Sequence, residues 1–450
     1  MVEGPGVGEP VGLGGSPAAF EFGSAVFGQD RDSGTHLTIV TCGPNPHISD
    51  RSFSLVGFAC PPLPDRSRGH LLAPDLTRAR LGTTASFVLC GIMSGTLTVR
   101  VPAMTDTIHL AKSQLGIVLL AWAVGGLLAM QGSRPMLRRL GSGRSLTLSM
   151  PLSALTLAGV ALASDYFTLI AAAAAFGMAV GLFDISMNAQ GAVAENASGR
   201  SLMSGFHAGW SIGAIASGAI GIGAIRLGLS FRDHLLLVAV ASLPVAAALA
   251  RTYLPDPGGD DGGAAVRRRL PTVVYVLGVV VFAAFMIEGM VGDWNGLYLR
   301  DVLGAPESLA ALGYPLFAGG MLAARLAGDR LRGRYGAAAC LRFGGLVVAL
   351  SFGVVITAPV AGVALVGLLV AGVAMATVIP FALSLAGGAD PAQSGPAIAQ
   401  TAAIGYAGLL LGPVLIGFLA DATSLRLALS VGLVLGAVIW LSTRYLPADS

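Results

Sequence analysis

The chain has 450 residues, of which 54% are apolar by a count that omits its 63 glycines, while only 11% carry a charge. About a quarter of the residues of a soluble domain are charged, and the mean hydropathy here is +0.76. The net charge is only +3, and every basic residue except Lys112 is an arginine. This composition excludes an ordinary soluble protein and predicts an integral membrane protein, and nothing in it points to nucleic-acid binding.

Residues 1–80 differ from the rest of the chain, because they are rich in Gly, Pro, Ser and Asp and show no helical or strand periodicity. The segment is typical of a disordered cytoplasmic tail; the alternative is a translation start placed too far upstream. It lacks the basic start and apolar core of a signal peptide. The four cysteines, Cys42, Cys60, Cys90 and Cys340, are scattered, so we interpret them as inert thiols and expect neither a metal site nor a cofactor.

Twelve apolar windows follow, each long enough to cross a hydrocarbon core of about 30 Å. They lie near 82–104, 113–133, 145–164, 166–190, 201–225, 233–254, 272–299, 309–329, 337–357, 361–386, 396–420 and 425–445. A hydrophilic break between Pro255 and Arg269 separates two groups of six. The sequence therefore predicts an N-terminal six-helix bundle over 81–254, a cytoplasmic linker over 255–270 and a C-terminal six-helix bundle over 271–446.

The two halves share short repeats. Gly125-Gly126-Leu-Leu-Ala returns as Gly319-Gly320-Met-Leu-Ala at an offset of 194, and Arg139-Leu-Gly141 returns as Arg334-Tyr-Gly336 at an offset of 195. Because each half has an even number of spans, both halves insert in the same orientation and form parallel repeats. The predicted fold is an all-α membrane protein with twelve transmembrane helices in two parallel six-helix repeats.

The distribution of arginine predicts the orientation, since cytoplasmic loops carry the excess of basic residues. With both termini inside, the inner loops and flanks hold most arginines, among them Arg134, Arg138, Arg139, Arg144, Arg267, Arg268, Arg269, Arg330, Arg332 and Arg334. The outer loops and flanks hold fewer basic residues, namely Arg100, Lys112, Arg226, Arg232, Arg300 and Arg426. We expect both termini in the cytoplasm.

Two loops carry a common pattern of basic residues and glycine. The loop after span two contains Arg138, Arg139 and Gly141, and the loop after span eight contains Asp329, Arg330, Arg334 and Gly336. With the twelve spans and the central break, these loops make residues 82–446 similar to the major facilitator superfamily, whose equivalent loop stabilises one conformation. In the first half, Arg138 occupies the position where the family's loop has an acidic residue. We therefore expect the first loop to stabilise that conformation less strongly.

Two further patterns resemble the fucose-permease branch of that superfamily. Span four reads Gly181-Leu-Phe-Asp184-Ile-Ser-Met-Asn188, and span seven contains Glu288, Trp294, Asn295 and Tyr298-Leu. Pro380 in span ten and Gly412-Pro413 in span eleven also fit that branch. The permease has an acid in span one, whereas 81–104 has none. The resemblance therefore implies proton coupling but not sugar specificity.

The acids inside the spans are the main candidates for transport chemistry. Asp184 and Asn188 share one helical face with glycines of span four. An acid in mid-span costs about 2.5–3.5 kcal/mol on insertion scales, so Asp184 should face the bundle interior, where it binds substrate or a proton. The alternative is an acid that only holds helices together or pairs with Arg200. Glu288 and Asn295 share a face of span seven, and Glu288 is the second candidate, either a titrating group or a salt-bridged gate.

Other polar or aromatic residues also lie in or beside the predicted spans. Asp293 and Trp294 read as an interfacial cap and an aromatic-belt residue, and Arg100 as a side chain that extends to the interface. His207 and Ser211 of span five point the same way, so the imidazole either relays protons or makes an interhelical hydrogen bond.

One motif would be compatible with an enzyme: Gly209-Trp210-Ser211-Ile212-Gly213 matches the G-x-S-x-G pattern of serine hydrolases. A nucleophile elbow needs a strand-to-helix turn, and this pentapeptide lies in an apolar helix, so we expect no enzyme. The phosphate-binding loop of an ATPase has a lysine directly after a glycine. The single lysine of this chain, Lys112, follows Ala111, so the sequence excludes such an ATPase.

The sequence thus predicts a secondary active transporter that moves a small, polar solute across the cytoplasmic membrane and is driven by protons. The expected partners are that solute, protons and the lipid bilayer, and the expected state is a monomer without a cofactor. Two alternatives are an exporter of hydrophobic, drug-like compounds and a membrane sensor that transports nothing.

Overall fold

The structure is a computed structural model that describes residues 73–199, 202–256, 269–325, 328–390 and 393–446. Most of the predicted N-terminal tail and the middle of the predicted linker lie outside the described residues. Within the described ranges the chain is helical, with no strand.

The first half contains seven helices: α1 Ala73–Val99, α2 Val101–Ile108, α3 Lys112–Gly132, α4 Arg134–Leu162, α5 Tyr166–Ser198, α6 Met203–Arg226 and α7 Phe231–Leu249. The second half contains α8 Thr272–Leu297, which continues as a π-helical turn Tyr298–Val302, then α9 Glu307–Ala310, α10 Gly313–Arg325, α11 Gly328–Tyr335, α12 Ala337–Thr357, α13 Ala361–Met375, α14 Val378–Gly388, α15 Ser394–Ala422, α16 Leu425–Ala428 and α17 Ser430–Ser442, with a final 3₁₀ turn Thr443–Tyr445.

Eleven helices in the described part of the chain are long and apolar enough to cross a membrane. The remaining predicted span, 309–329, contains α10, whose 13 residues end beside the undescribed residues 326–327. The all-α fold with two sets of helices is therefore confirmed. Eleven of the twelve predicted spans are helical stretches long enough to cross a membrane, two of which consist of shorter helices in succession.

Several boundaries differ from the sequence prediction, and three of the differences affect the course of the chain. Helix α1 begins at Ala73 instead of near 82. The loop predicted over 134–144 is helical except at Gly141, where non-helical backbone angles produce a kink before the third span. The tenth span is broken between α13 and α14. Pro380 explains this break, because proline has no N–H to bond the carbonyl four residues earlier, which belongs to Ala376.

Glycine contacts show that the two halves repeat with a constant offset of 195. A Cβ on Gly125 would overlap the carbonyl oxygen of Ala174, and a Cβ on Gly320 would overlap that of Leu369. The equivalent of Gly125 is therefore Gly320, so the offset of 194 taken from the sequence repeat is wrong by one residue. Small residues at both positions let the paired helices touch through their backbones.

A second pair of contacts follows the same offset. A Cβ on Gly177 would overlap the carbonyl oxygen of Trp122, and a Cβ on Gly372 would overlap that of Phe317. The packing of α5 on α3 is thus repeated by the packing of α13 on α10.

Helix α5, which carries Asp184, has a well-formed beginning. The Asp165 carboxylate accepts hydrogen bonds from the backbone N–H groups of Thr168 at 3.0 Å and Phe167 at 2.9 Å. These N–H groups and the Thr168 hydroxyl hold the pKa of Asp165 below its usual range. Such a cap satisfies N–H groups that have no partner within the helix.

Candidate functional site

A cavity of about 410 Å³ lies between the two sets of helices. Its walls come from α1, α3, α5 and α6 of the first half and from α8, α10 and α15 of the second. Three carboxylic acids line it: Asp184 on α5, and Glu288 and Asp293 on α8. Cavities of this size hold small organic molecules.

Asp184 reaches the cavity because α5 packs closely on α3. Backbone contacts at Gly177 and Gly181 leave no room for a side chain between the two helices. One turn further along, the Asn188 Nδ2 donates to the Asp184 carbonyl oxygen at 2.8 Å and lies 3.4 Å from the carboxylate Oδ1. Asn188 thus contacts the Asp184 carboxylate and can hold it in position, although Asn188 itself does not line the cavity.

Glu288 and Asp293 share a broad face of α8 with Gly289 and Gly292, which also line the cavity. Tyr314 of α10 lies within electrostatic range of both carboxyl groups. The interpretation of Asp293 as an interfacial cap is wrong, because α8 continues beyond it and its side chain faces the cavity. Trp294 is not an aromatic-belt residue either, since it is fully buried.

Sequence reasoning missed the aromatic part of the site. Five aromatic side chains line the cavity: Trp122, Trp210, Phe285, Tyr314 and Tyr406. The rings of Phe285 and Tyr406 are stacked with centroids 5.2 Å apart, and Tyr406 lies within electrostatic range of Asp184 across the boundary between the halves. Helical periodicity could have linked Phe285 with Glu288, because residues three apart share a face.

Two other residues predicted for the site lie outside the cavity wall. His207 has an exposed side chain whose ring packs edge-on against Phe87, with centroids 5.2 Å apart. Asn295 is buried, and its Nδ2 donates to the carbonyl oxygen of Val291. The contact of Asn295 with Gly313 places it where α8 packs on α10.

The cavity has an acidic character. Among its lining residues that the structure describes, none is Lys, Arg or His, and none of the three acids forms a salt bridge within the described ranges. Arg325 is the basic residue within electrostatic range of Glu288; its side chain is exposed, and its Nη1 lies 3.4 Å from the Ser211 Oγ. The Glu288 Oε1 is buried and has no hydrogen-bond partner in the described part of the chain.

The acids are spread around the cavity instead of being gathered at one point. No group of three His, Cys, Asp or Glu side chains within the described residues is arranged to hold a metal ion.

At one end of the membrane body, here called the α2 end, polar contacts join the two halves. Arg300 binds Asp106, and Arg100 forms an ion pair with Glu307 at 3.6 Å. The Asp421 carboxylate accepts from the N–H groups of Lys112 at 3.2 Å and Ser113 at 2.8 Å. The interpretation that Arg100 extends to the interface is wrong, because it is 3% exposed and also donates to the Leu229 carbonyl oxygen.

The two conformational loops share a glycine geometry. Gly141 and Gly336, 195 residues apart, have φ of 75° and 79° with ψ of 169° and 159°. In the first loop the Asp256 carboxylate accepts hydrogen bonds from the N–H (2.9 Å) and the hydroxyl of Ser142, the residue after Gly141. Asp256, at the start of the linker, thus places a carboxylate at the beginning of the helix that follows Gly141. The same loop has Arg138 at the position where the family has an acidic residue.

The arginines of these loops lie at the surface. Arg138, Arg139, Arg330 and Arg334 are exposed, and the Arg334 guanidinium lies 5.3 Å from the ring centroid of Tyr335. The side chain of Asp329 is outside the described part of the structure.

The sequence profile of the Major Facilitator Superfamily matches residues 83–399. An uncharacterized transporter of Sinorhizobium fredii is 33% identical over 77% of this chain and 92% of that protein. An uncharacterized MFS-type transporter of Yersinia pestis is 31% identical over 78% of this chain and 91% of its own length. Membrane protein MosC of Rhizobium meliloti is 25% identical over 78% and 86%, respectively.

Solved structures agree on the fold. The nucleoside transporter NupG superposes with a TM-score of 0.64 at 13% identity, over 81% of this chain and 98% of NupG. An inward-facing, unoccupied bacterial homolog of the human lysosomal transporter Spinster gives 0.62 at 16% identity, over 83% and 98%. Since both the profile and two relatives above 30% identity cover most of the chain, this multi-pass membrane protein belongs to the major facilitator superfamily of transporters.

Proposed function

We propose that the protein is a secondary active transporter that moves a small solute by alternating access and is coupled to protons. The observation that carries this proposal is the position of Asp184, Glu288 and Asp293 around one cavity between the two halves. Ionisable residues within membrane spans are costly, and they generally mark substrate or proton pathways.

Coupling would use the carboxyl groups of Asp184, Glu288 or both. A carboxyl group in a confined cavity is more stable when neutral, so taking up or releasing a proton changes how well it binds a solute and how readily the cavity closes. One proton that moves down 100 mV supplies about 2.3 kcal/mol, which supports a gradient of about fifty-fold.

Alternating access would require the contacts at the α2 end to break. The Arg300–Asp106 and Arg100–Glu307 pairs join the halves there, and an opening toward that side separates them. We place the α2 end outside the cell and both termini in the cytoplasm, in line with the arginine distribution. We further propose a monomer close to the fucose-permease branch, with 81–254 and 271–446 as the two bundles and 255–270 as their linker.

Proteoliposomes test this function. An imposed pH gradient should drive accumulation of at least one solute from a panel of sugars, amino acids, organic acids and amines. Asp184→Asn or Glu288→Gln should abolish that accumulation, because an amide neither binds nor releases the proton. Asp75→Asn, which removes an exposed carboxylate on α1, is the control and should transport normally. The proposal is wrong if no solute responds to the gradient.

The apolar and aromatic lining favours one alternative, the export of hydrophobic compounds. In that case the same gradient should expel a lipophilic dye from the vesicles, while hydrophilic solutes of the panel should not move.

A further inference from the structure

We infer that the substrate is a small organic cation, an ammonium compound with an apolar or aromatic body. This inference rests on the proposed function in one respect, since it takes the cavity between the two halves as the transport site. It adds the chemical class of the substrate, which follows from the charges and rings of the cavity wall.

The charge of the cavity wall favours a cation. Asp184 faces the cavity from the first half and Glu288 and Asp293 from the second, while the described lining residues supply no basic group. An anion would meet three carboxyl groups without a counter-charge from the lining residues, and beside a neutral solute each carboxylate could lose its charge only by binding a proton. A cation compensates the carboxylates directly. Arg325, beside Glu288, offsets part of this charge, but Asp184 and Asp293 remain.

The aromatic side chains of the cavity wall also favour a cation. Trp122 and Trp210 contribute indole rings from the first half, and the stacked pair Phe285 and Tyr406 contributes rings from the second. Aromatic faces attract ammonium groups, and Trp attracts them best. Tyr406 lies within electrostatic range of Asp184 and both line the cavity, so a ring and a carboxylate are available to the same cationic group.

The size of the cavity and the arrangement of its acids favour an organic cation over a metal ion. A cavity of about 410 Å³ holds a small organic molecule but not a lipid or a long peptide. A bare metal cation fits poorly, because no three His, Cys, Asp or Glu side chains of the described residues are grouped closely enough to hold one.

One consequence concerns the coupling. An organic cation and a proton neutralise the same carboxylates, so each excludes the other, and the gradient would drive exchange of one for the other. The other titratable or charged groups near these acids are the hydroxyls of Tyr314 and Tyr406, the Cys90 thiol and the Arg325 guanidinium. Binding of a cation with a fixed charge should therefore weaken as the pH falls and the carboxylates become protonated.

Two matched series of compounds test the class on the full-length purified protein. The first is 2-phenylethylamine, 2-phenylethanol and phenylacetate, and the second is glucosamine, glucose and glucuronate, so only the charge changes appreciably within a series. The readouts are the fluorescence of the tryptophans, two of which line the cavity, and the midpoint temperature of unfolding. In at least one series the amine should bind about tenfold more tightly than the neutral member, an amount typical of a single charge or cation–π contact, and the anion should not bind.

Variants separate charge recognition from general binding. Asp184→Asn should weaken binding of the amine about tenfold or more and leave that of the neutral member unchanged, whereas Asp75→Asn should change neither. If Asp184→Asn does not fold, Asp293→Asn replaces it. The inference is overturned if the neutral member or the anion binds as well as the amine in both series, or if no compound binds at millimolar concentration.

A transport assay keeps this inference distinct from the proposed function. Proteoliposomes with an acidic lumen should accumulate benzyltrimethylammonium, whose fixed charge prevents it from carrying a proton across the lipid. Gradient-driven uptake of neutral or anionic solutes alone would refute the cationic class and leave proton-coupled transport intact. Cation binding without any gradient-driven movement would refute proton-coupled transport and leave the cationic class intact.

Discussion

Arg300 and Asp106 join the two halves of the protein through a bidentate ion pair, with Nη1 to Oδ2 at 2.6 Å and Nη2 to Oδ1 at 3.1 Å. The arginine follows the end of α8, and the aspartate lies on α2. Asp301 accepts from the Arg300 Nε at 2.7 Å and thereby holds the guanidinium in position. Two parallel hydrogen bonds make this geometry more specific than a single contact.

Removing this pair should favour the state that is open at the α2 end. Asp106 is 66% exposed, so we expect Asp106→Ala or Arg300→Ala to shift the balance by only about 0.2–1 kcal/mol, the range of exposed ion pairs. A single cysteine introduced at Thr98, in the cavity wall, should then react with a maleimide up to about fivefold faster. The background for this measurement is a protein whose own cysteines are replaced by serine.

A double-mutant cycle completes this test. If the two side chains act through each other, the double variant should react no faster than the quicker single variant. Asp233→Asn is the control, because Asp233 lies within one half and pairs with Ser230. Equal reactivity of all variants would show that the pair does not hold this end closed.

Gly141 should tolerate no side chain. Its φ of 75° is unfavourable for other residues, and a Cβ would overlap the carbonyl oxygen of Asp256. We expect Gly141→Ala to lower the stability by about 1–3 kcal/mol, seen as a lower midpoint temperature of unfolding. Gly159→Ala, in the same helix with nothing within 4 Å of its Cβ position, should be neutral or slightly stabilising. Equal effects at the two positions would contradict the argument.

Much of the fold could be predicted from sequence because lipid imposes a strong constraint on composition. Every backbone polar group in a span must be satisfied internally, so long apolar windows are helices. Windows do not reveal breaks or kinks that depend on single residues, such as the break before Pro380 or the kink of α4 at Gly141. The repeat offset needed backbone contacts, because neighbouring glycines such as Gly125 and Gly126 look alike in sequence.

The site was predictable only in part, for a physical reason. An acid in a span is costly wherever it lies, so Asp184 and Glu288 stand out in the sequence. Aromatic rings are stable in lipid, in packed interiors and in cavities, so the sequence alone does not show that Trp122 and Tyr406 line the cavity. Asp293 was misassigned because depth was judged from a helix end that the structure places later, in the π-helical turn beginning at Tyr298.

The same turn anchors the second half. The Tyr298 hydroxyl is buried and donates to the carbonyl oxygen of Val355 on α12 at 2.6 Å. We expect Tyr298→Phe to cost about 0.5–1.5 kcal/mol, because the carbonyl loses this hydrogen bond and keeps the one from the Ala358 N–H at 3.3 Å. Tyr275→Phe is a matched control, since the Tyr275 side chain is 46% exposed. Guanidinium denaturation in detergent should separate the two variants, and equal stabilities would argue against this anchor.

The pseudo-symmetric glycines Gly177 and Gly372 allow packing and ligand binding to be separated. An added Cβ at either would overlap a backbone oxygen, that of Trp122 or Phe317, so both Gly→Ala variants should lose about 1–3 kcal/mol of stability through overpacking. Of the two aromatic residues, Trp122 lines the cavity and Phe317 does not. Gly177→Ala should therefore also weaken binding of 2-phenylethylamine, whereas Gly372→Ala should not. Gly362→Ala, with open space at its Cβ position, should alter neither property. Equal binding by all three variants would show that the position of Trp122 does not matter to the ligand.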